Sequence, residues 1–108
     1  MRAERDFEFD LLIHSPVRLA VLSVLSELED ADFVFLRETV GATDGNLSTH
    51  LARLEEAGYV RIRKAFANRK PRTTCAITPK GRKAFVAYLE HLERIVRTHR
   101  GVKGGRYA

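Results

Sequence analysis

From His14 onward, "HSPVRLAVLSVLSEL" sets Val17, Val21, Val24, Leu25 and Leu28 at three- and four-residue steps, with Leu22 widening the stripe. Such spacing gathers apolar side chains on one face of a helix, which turns once in about 3.6 residues. Ser15 is suited to accept an orphan first-turn N–H, and Pro16 sits at the first helical position, where a missing N–H costs nothing. The acidic run "ELEDAD" ends this helix. Phe33 and Val34 then form at most a very short extended piece. A second helix is expected over about Phe35 to Val40, closed by Gly41.

Residues 43–60, "TDGNLSTHLARLEEAGYV", predict a third helix capped by Thr43, with Asp44 near its positive end. Leu47, Leu51 and Leu54 fall in a narrow arc, while Gly45, Thr49, Ala52, Arg53 and Glu56 point away from it. One face is anchored and the other is left to meet something. Gly58 has the character of a left-handed stop.

The period then changes to two. "YVRIRKAF" alternates Val60, Ile62 and Lys64 against Arg61 and Arg63, and "TTCAIT" sets Cys75 and Ile77 on one side. These runs predict a hairpin whose tip "ANRKPR", with Asn68 and Pro71, is expected to be a long turn rather than a two-residue one. Thr78 and Pro79 repeat the cap-plus-proline signal. After them Phe85, Tyr88, Leu89, Leu92, Ile95 and Val96 make an apolar stripe of nearly four turns, more than a small core can cover. The glycine-rich, basic end "RGVKGGRYA" is expected to lack fixed structure.

The order is helix, brief strand, helix, helix, hairpin, long helix: mainly α with one β-hairpin. The second and third helices are joined by "GAT", the kind of three-residue, glycine-containing link found in helix-turn-helix units. The chain divides into an arm (1–14), a helix-turn-helix domain with its hairpin (15–78), a long C-terminal helix (79–99) and a tail (100–108). With 108 residues it holds one domain's worth of core.

Charge sharpens this picture. Residues 1–60 carry 5 Lys and Arg against 12 Asp and Glu, whereas residues 61–108 carry 14 against 2. A half so basic suits a polyanion, with nucleic acid the first candidate, a membrane surface the second and a merely solvated basic face the third. No stretch approaches the roughly 20 apolar residues of a membrane span, and the charge-mixed start lacks a secretory signal, so a cytoplasmic protein is expected. The single cysteine, Cys75, excludes an internal disulfide and a cysteine-rich zinc site, and reads as a small buried hydrophobe rather than a redox sensor. No nucleophile–base pair, catalytic carboxylate pair or phosphate-cradling loop is present, so an enzyme is not expected.

The pieces "HSPVRLAVLSVL", "FVFLRETVGATDGNLSTHLARLEEAGYV" and "RIRKAFANRKPRTTCAITPKGRKAF" together resemble the winged-helix transcriptional regulators of the MarR/ArsR-like group. The likeness covers roughly residues 11 to 90. It implies a homodimeric regulator, most simply a repressor, whose third helix enters the major groove of an inverted-repeat operator while its hairpin "wing" lies on the flanking backbone or minor groove. Carried onto this sequence, it points to Asn46, Ser48, Thr49 and Arg53 for base edges and nearby phosphates. Arg69, Lys70 and Arg72 would meet phosphates or the minor groove, with Arg63 and Lys64 steering from the wing's stem. His50, near the buried flank, reads first as a packing residue.

The terminal segments of such regulators usually build the dimer, which assigns Phe7, Leu11, Phe85, Tyr88, Leu89, Leu92, Ile95 and Val96 to a partner chain. Phe9 and Leu12 add apolar surface to the same arm. Related metal sensors place cysteines before the turn or His and carboxylates on the last helix; His91, Glu93 and His99 do not match that spacing, so neither metal nor cofactor is expected. The fold leaves room for a small organic effector, though no buried polar cluster declares one. A winged helix that docks a protein is the alternative function, and the basic wing argues against it.

Overall fold

A computed structural model describes residues 9–100. Phe7 and the tail from residue 101 lie outside the described residues. Ser15, Thr43 and Thr78 each act at a helix start: the Ser15 side chain accepts from the Arg18 N–H, Thr43 from Asn46 at 3.1 Å and Thr78 from Gly81 at 2.9 Å. They open α1 (Pro16–Ser26), α3 (Asp44–Glu56) and α4 (Pro79–Arg100), between which lie β1 (Ala31–Asp32), α2 (Phe33–Val40), β2 (Val60–Ala67) and β3 (Lys70–Ile77). The strands form an antiparallel sheet in the order β1-β3-β2. Among the described residues no helix is long and apolar enough to cross a membrane.

Four local expectations need correction. The brief strand is Ala31–Asp32 rather than Phe33–Val34, because Ala31 pairs with Cys75 and Asp32 with Thr74. Asp32 then caps the next helix by accepting from the Val34 N–H, so α2 begins at Phe33 rather than Phe35. Leu28 lies past the end of α1 and is exposed. The hairpin tip is not a long turn: Ala67 pairs with Lys70, leaving only Asn68 and Arg69 to turn the chain. Both have positive φ, 54° and 67°, the combination whose twist matches that of the flanking strands. Asparagine tolerates that geometry and the arginine is carried along by the register.

Ile13, Val21, Leu22, Leu25, Leu36, Leu47 and Leu54 are fully buried. Each such side chain is worth about 1.5–3 kcal/mol relative to exposure. Ile13 belongs to the segment read as an arm, so the core extends back before Ser15. Its turn is held by Asp10, which accepts from the Leu12 N–H and from the Tyr59 hydroxyl.

The exit from α3 is a double-bonded stop. Gly58, at φ 82°, donates to Glu55 O and Tyr59 donates to Leu54 O, both at 2.9 Å. The same corner receives α4: Thr78 N donates to Tyr59 O at 3.0 Å and Thr78 Oγ1 donates to Gly58 O at 2.6 Å. Gly81 is packed so closely against it that an added Cβ would stand 2.1 Å from the Tyr59 oxygen. This corner sets the angle between α3, the foot of the hairpin and the long helix.

Candidate nucleic-acid interface

The apolar row Leu47, Leu51 and Leu54 seats α3 on the core, leaving Asn46, Thr49 and Arg53 exposed on the outer arc. At about 100° per residue those three fall within about 60° of one another. Ser48 and Ala52 continue the exposed surface toward the hairpin, where they line one open groove with Glu55, Ile62, Lys64 and Thr73. A helix edge and a strand face are thus brought to a common trough.

Two polar contacts fix the pose of α3. Arg37 of α2 reaches Asp44 at 2.5 Å, tying the two helices across their short turn. On the other flank Arg18, buried in α1, donates through Nε to the Leu12 carbonyl and through Nη1 to His50 Nδ1 at 2.7 Å. A guanidinium only donates, so Nδ1 must accept and the neutral ring carries its proton on Nε2. Burial, then the charges of Arg18 and Arg53, hold the His50 pKa below its ordinary value. His50 is therefore a packing residue of the helix rather than an outward-facing one.

On the hairpin, period two separates the cations. Lys64 shares its face with Ile62 and Phe66, whereas Arg61 and Arg63 stand on the opposite face beside Glu29 and Asp30. Arg69 and Lys70 are exposed at and next to the tip. Arg72 is exposed too, but its Nε lies 3.3 Å from Asp32, so part of its charge is already answered within the chain. No local pattern announces that pairing, because the two residues lie 40 positions apart. Cys75 is buried, and burial followed by Glu55 and Asp32 pushes its thiol up to about 11. Among the described residues no group of three or more His, Cys, Asp or Glu is placed to hold a metal ion.

The residues assigned to a partner chain divide. Phe85 and Tyr88 are buried in the chain's own core, and Tyr88 also takes part in a ring cluster with Phe9 and His14, its hydroxyl 2.7 Å from His14 Nδ1. Leu92 and Ile95 are half-buried. Leu11, Leu89 and Val96 are exposed, and so is Val86 beside them.

The winged helix DNA-binding domain family matches residues 17–96. The chain belongs to that family. An uncharacterized protein of Methanocaldococcus jannaschii is 41% identical over 78 residues, covering 72% of this chain and 85% of its own. A transcriptional regulator homologue from Pyrococcus horikoshii OT3 superposes with a TM-score of 0.82 at 28% identity, over 91% of this chain and 97% of that one. MarR- and ArsR-family transcriptional regulators are among the structural neighbours. One, a MarR-family regulator from Silicibacter pomeroyi, shares the fold at 23% identity and TM-score 0.64, over 88% of this chain and 64% of its own. In winged-helix terms α2 and α3 are the helix-turn-helix and β2–β3 is the wing.

Proposed function

We propose that this winged-helix protein is a homodimeric, sequence-specific double-stranded DNA-binding regulator, acting as a repressor by occupying promoter DNA. The observation that carries the reading is the shared trough: the polar edge of α3 and the Lys64 face of the wing border one open groove. A double helix fits that arrangement, since an α-helix fills the major groove while a neighbouring hairpin follows the backbone. Asn46, Thr49 and Arg53 have the donors and acceptors to read base edges. Lys64, Arg69 and Lys70 supply charge for phosphates, and Ser48 and Arg72 are secondary contacts. Arg63, on the far face of the wing, steers only at long range. The exposed Leu11, Leu89 and Val96 support a second copy docked along α4.

Selection of bound fragments from a random DNA pool, followed by sequencing, tests the reading. An enriched inverted repeat with half-sites about one helical turn apart is the expected result. Affinity should fall steeply with salt, by about 0.9 in log K per log unit of salt for each phosphate contacted. No enrichment together with a flat salt response would overturn the reading in favour of a protein-docking module.

A further inference from the structure

Phe66 is the aromatic ring that the wing does not bury. It is 77% exposed although it lies within a paired strand. By register it stands opposite Pro71, on the sheet face that carries Val60 and Ile62 at the foot and Lys64 beside α3. Pairing holds the two residues together, and the two-residue turn at Asn68 and Arg69 allows the strands no slack to fold the ring inward. Pro71 adds a fixed φ and a second apolar surface. The ring is displayed on a stiff support with Lys64 on its own face and Arg69 in the adjoining turn, whereas Lys70, paired with Ala67, belongs to the opposite face; Lys64 and Arg69 form no ion pair among the described residues.

This combination selects its partner. An apolar protein surface that covered Phe66 would draw those cations out of water without answering their charge. A surface with anionic rims and an apolar floor answers both, and the minor groove of duplex DNA has phosphates along its edges and sugars and stacked bases between them. The reach agrees. Phe66 lies four residues beyond Ile62, about 13 Å along the strand, and successive grooves of B-DNA are centred about half a turn, or about 17 Å, apart. With α3 in one groove, the ring arrives at the edge of the next.

We propose that Phe66, braced by Pro71, is an apolar wedge that the wing presses into the minor groove, partly unstacking a base step and bending the duplex. The proposal rests on the DNA-binding reading above and assigns its shape-dependent component to one residue. Flexible pyrimidine–purine steps at the wing position are the preferred target, because they open at least cost.

The test compares Phe66→Ala and Phe66→Trp with the unaltered chain on a mixed-sequence duplex of about 30 base pairs labelled at both ends. Affinity, its salt dependence and the end-to-end distance by energy transfer are measured, with thermal melting and sedimentation as controls. Phe66→Ala is expected to weaken binding about tenfold, the scale of one lost stacking contact, and to abolish the shortening of the duplex. Its salt slope should stay unchanged, because no phosphate contact is removed, and Phe66→Trp should restore both affinity and bending. Equal affinity and bending in Phe66→Ala would overturn the wedge while leaving DNA binding intact. So would a loss that appears only as a changed sedimentation profile, which would make Phe66 a contact between copies. If the unaltered protein bound no duplex even at low salt, the DNA-binding reading itself would fall, and the wedge with it.

Discussion

Replacing Gly81 with alanine adds one methyl group to the first turn of α4, a change that in an open helix stabilises by about 1 kcal/mol. Here the sign reverses. The new Cβ would stand 2.1 Å from the Tyr59 oxygen and 2.8 Å from its carbonyl carbon, both backbone atoms. Ordinary carbon–carbon contact needs about 3.5–4.0 Å, so either α4 lifts or the corner at Tyr59 gives way. The same oxygen accepts from Thr78 N at 3.0 Å, and that bond is strained by either movement. Overpacking of this kind costs about 1–3 kcal/mol and a weakened hydrogen bond about 1 more. Against the gain in helix propensity, the net is about 2 kcal/mol of destabilisation. For a domain of this size that lowers Tm by about 8–16 °C. Gly45 is the internal control: it lies in α3 and an added methyl there would meet nothing within 4 Å, so Gly45→Ala should raise Tm by a few degrees. Thermal melts followed by circular dichroism decide the matter. A Gly81→Ala protein that melts at or above the unaltered chain would refute the close approach and the account of the corner built on it.

Three further outcomes follow from other sites. His50 binds its proton more weakly in the folded chain, so stability is complete above about pH 6.5 and falls as pH drops through the lowered folded value, where the unfolded chain takes up more protons. Urea denaturation across that range should show the loss, and His50→Gln, which keeps an acceptor for Arg18, should flatten it; an unaltered slope would count against the neutral ring. Cys75, with its thiol up at about 11, should react with iodoacetamide at about pH 8 about 100-fold more slowly in the native chain than in urea. On duplex DNA, Arg69→Ala should lower the salt slope by about 0.9 and Arg72→Ala by less, because Asp32 already answers Arg72. Asp32→Asn keeps the cap of α2 and releases Arg72, so it should tighten binding; weaker binding would mean the pair is needed intact.

The starts of α1, α3 and α4 were legible because they depend on neighbours in the chain: Ser15 with Pro16, Thr43 with Asp44 and Thr78 with Pro79 each place an acceptor or a preset φ where local geometry uses it; the start of α2 was not, because its cap Asp32 lies inside the acidic run that reads as the end of the helix before it. The leucine row of α3 was legible for the same reason. Most of what escaped was set by distant partners. The two residues of β1 are a strand only because Cys75 and Thr74 lie beside them, and Gly81 is special only because Tyr59 arrives against it. The tip escaped because proline and its polar neighbours have the composition of a loop, whereas strand register extends to Ala67 and Lys70. Pro71 is tolerated there because, next to the pair that closes a two-residue turn, its nitrogen falls at a position that makes no bond across the hairpin. Arg18 could have been suspected from its place inside an apolar stripe. Its two partners could not. Phe66 was visible in the alternation that also carries Ile62 and Lys64, but whether it was covered depended on the shape of the sheet.

The Arg18 guanidinium grips the backbone of Leu12 with one nitrogen and the His50 ring with another, so the stretch ahead of the first helix works as part of the bracket that orients α3. Shortening the protein to a tidy domain starting at Ser15 would remove Leu12 and Ile13 together, leaving the arginine one-handed and a hole in the packing beneath. Any molecule that tugged on residues 10–13, whether a second copy or an effector, would have a direct mechanical grip on where Asn46 and Thr49 point.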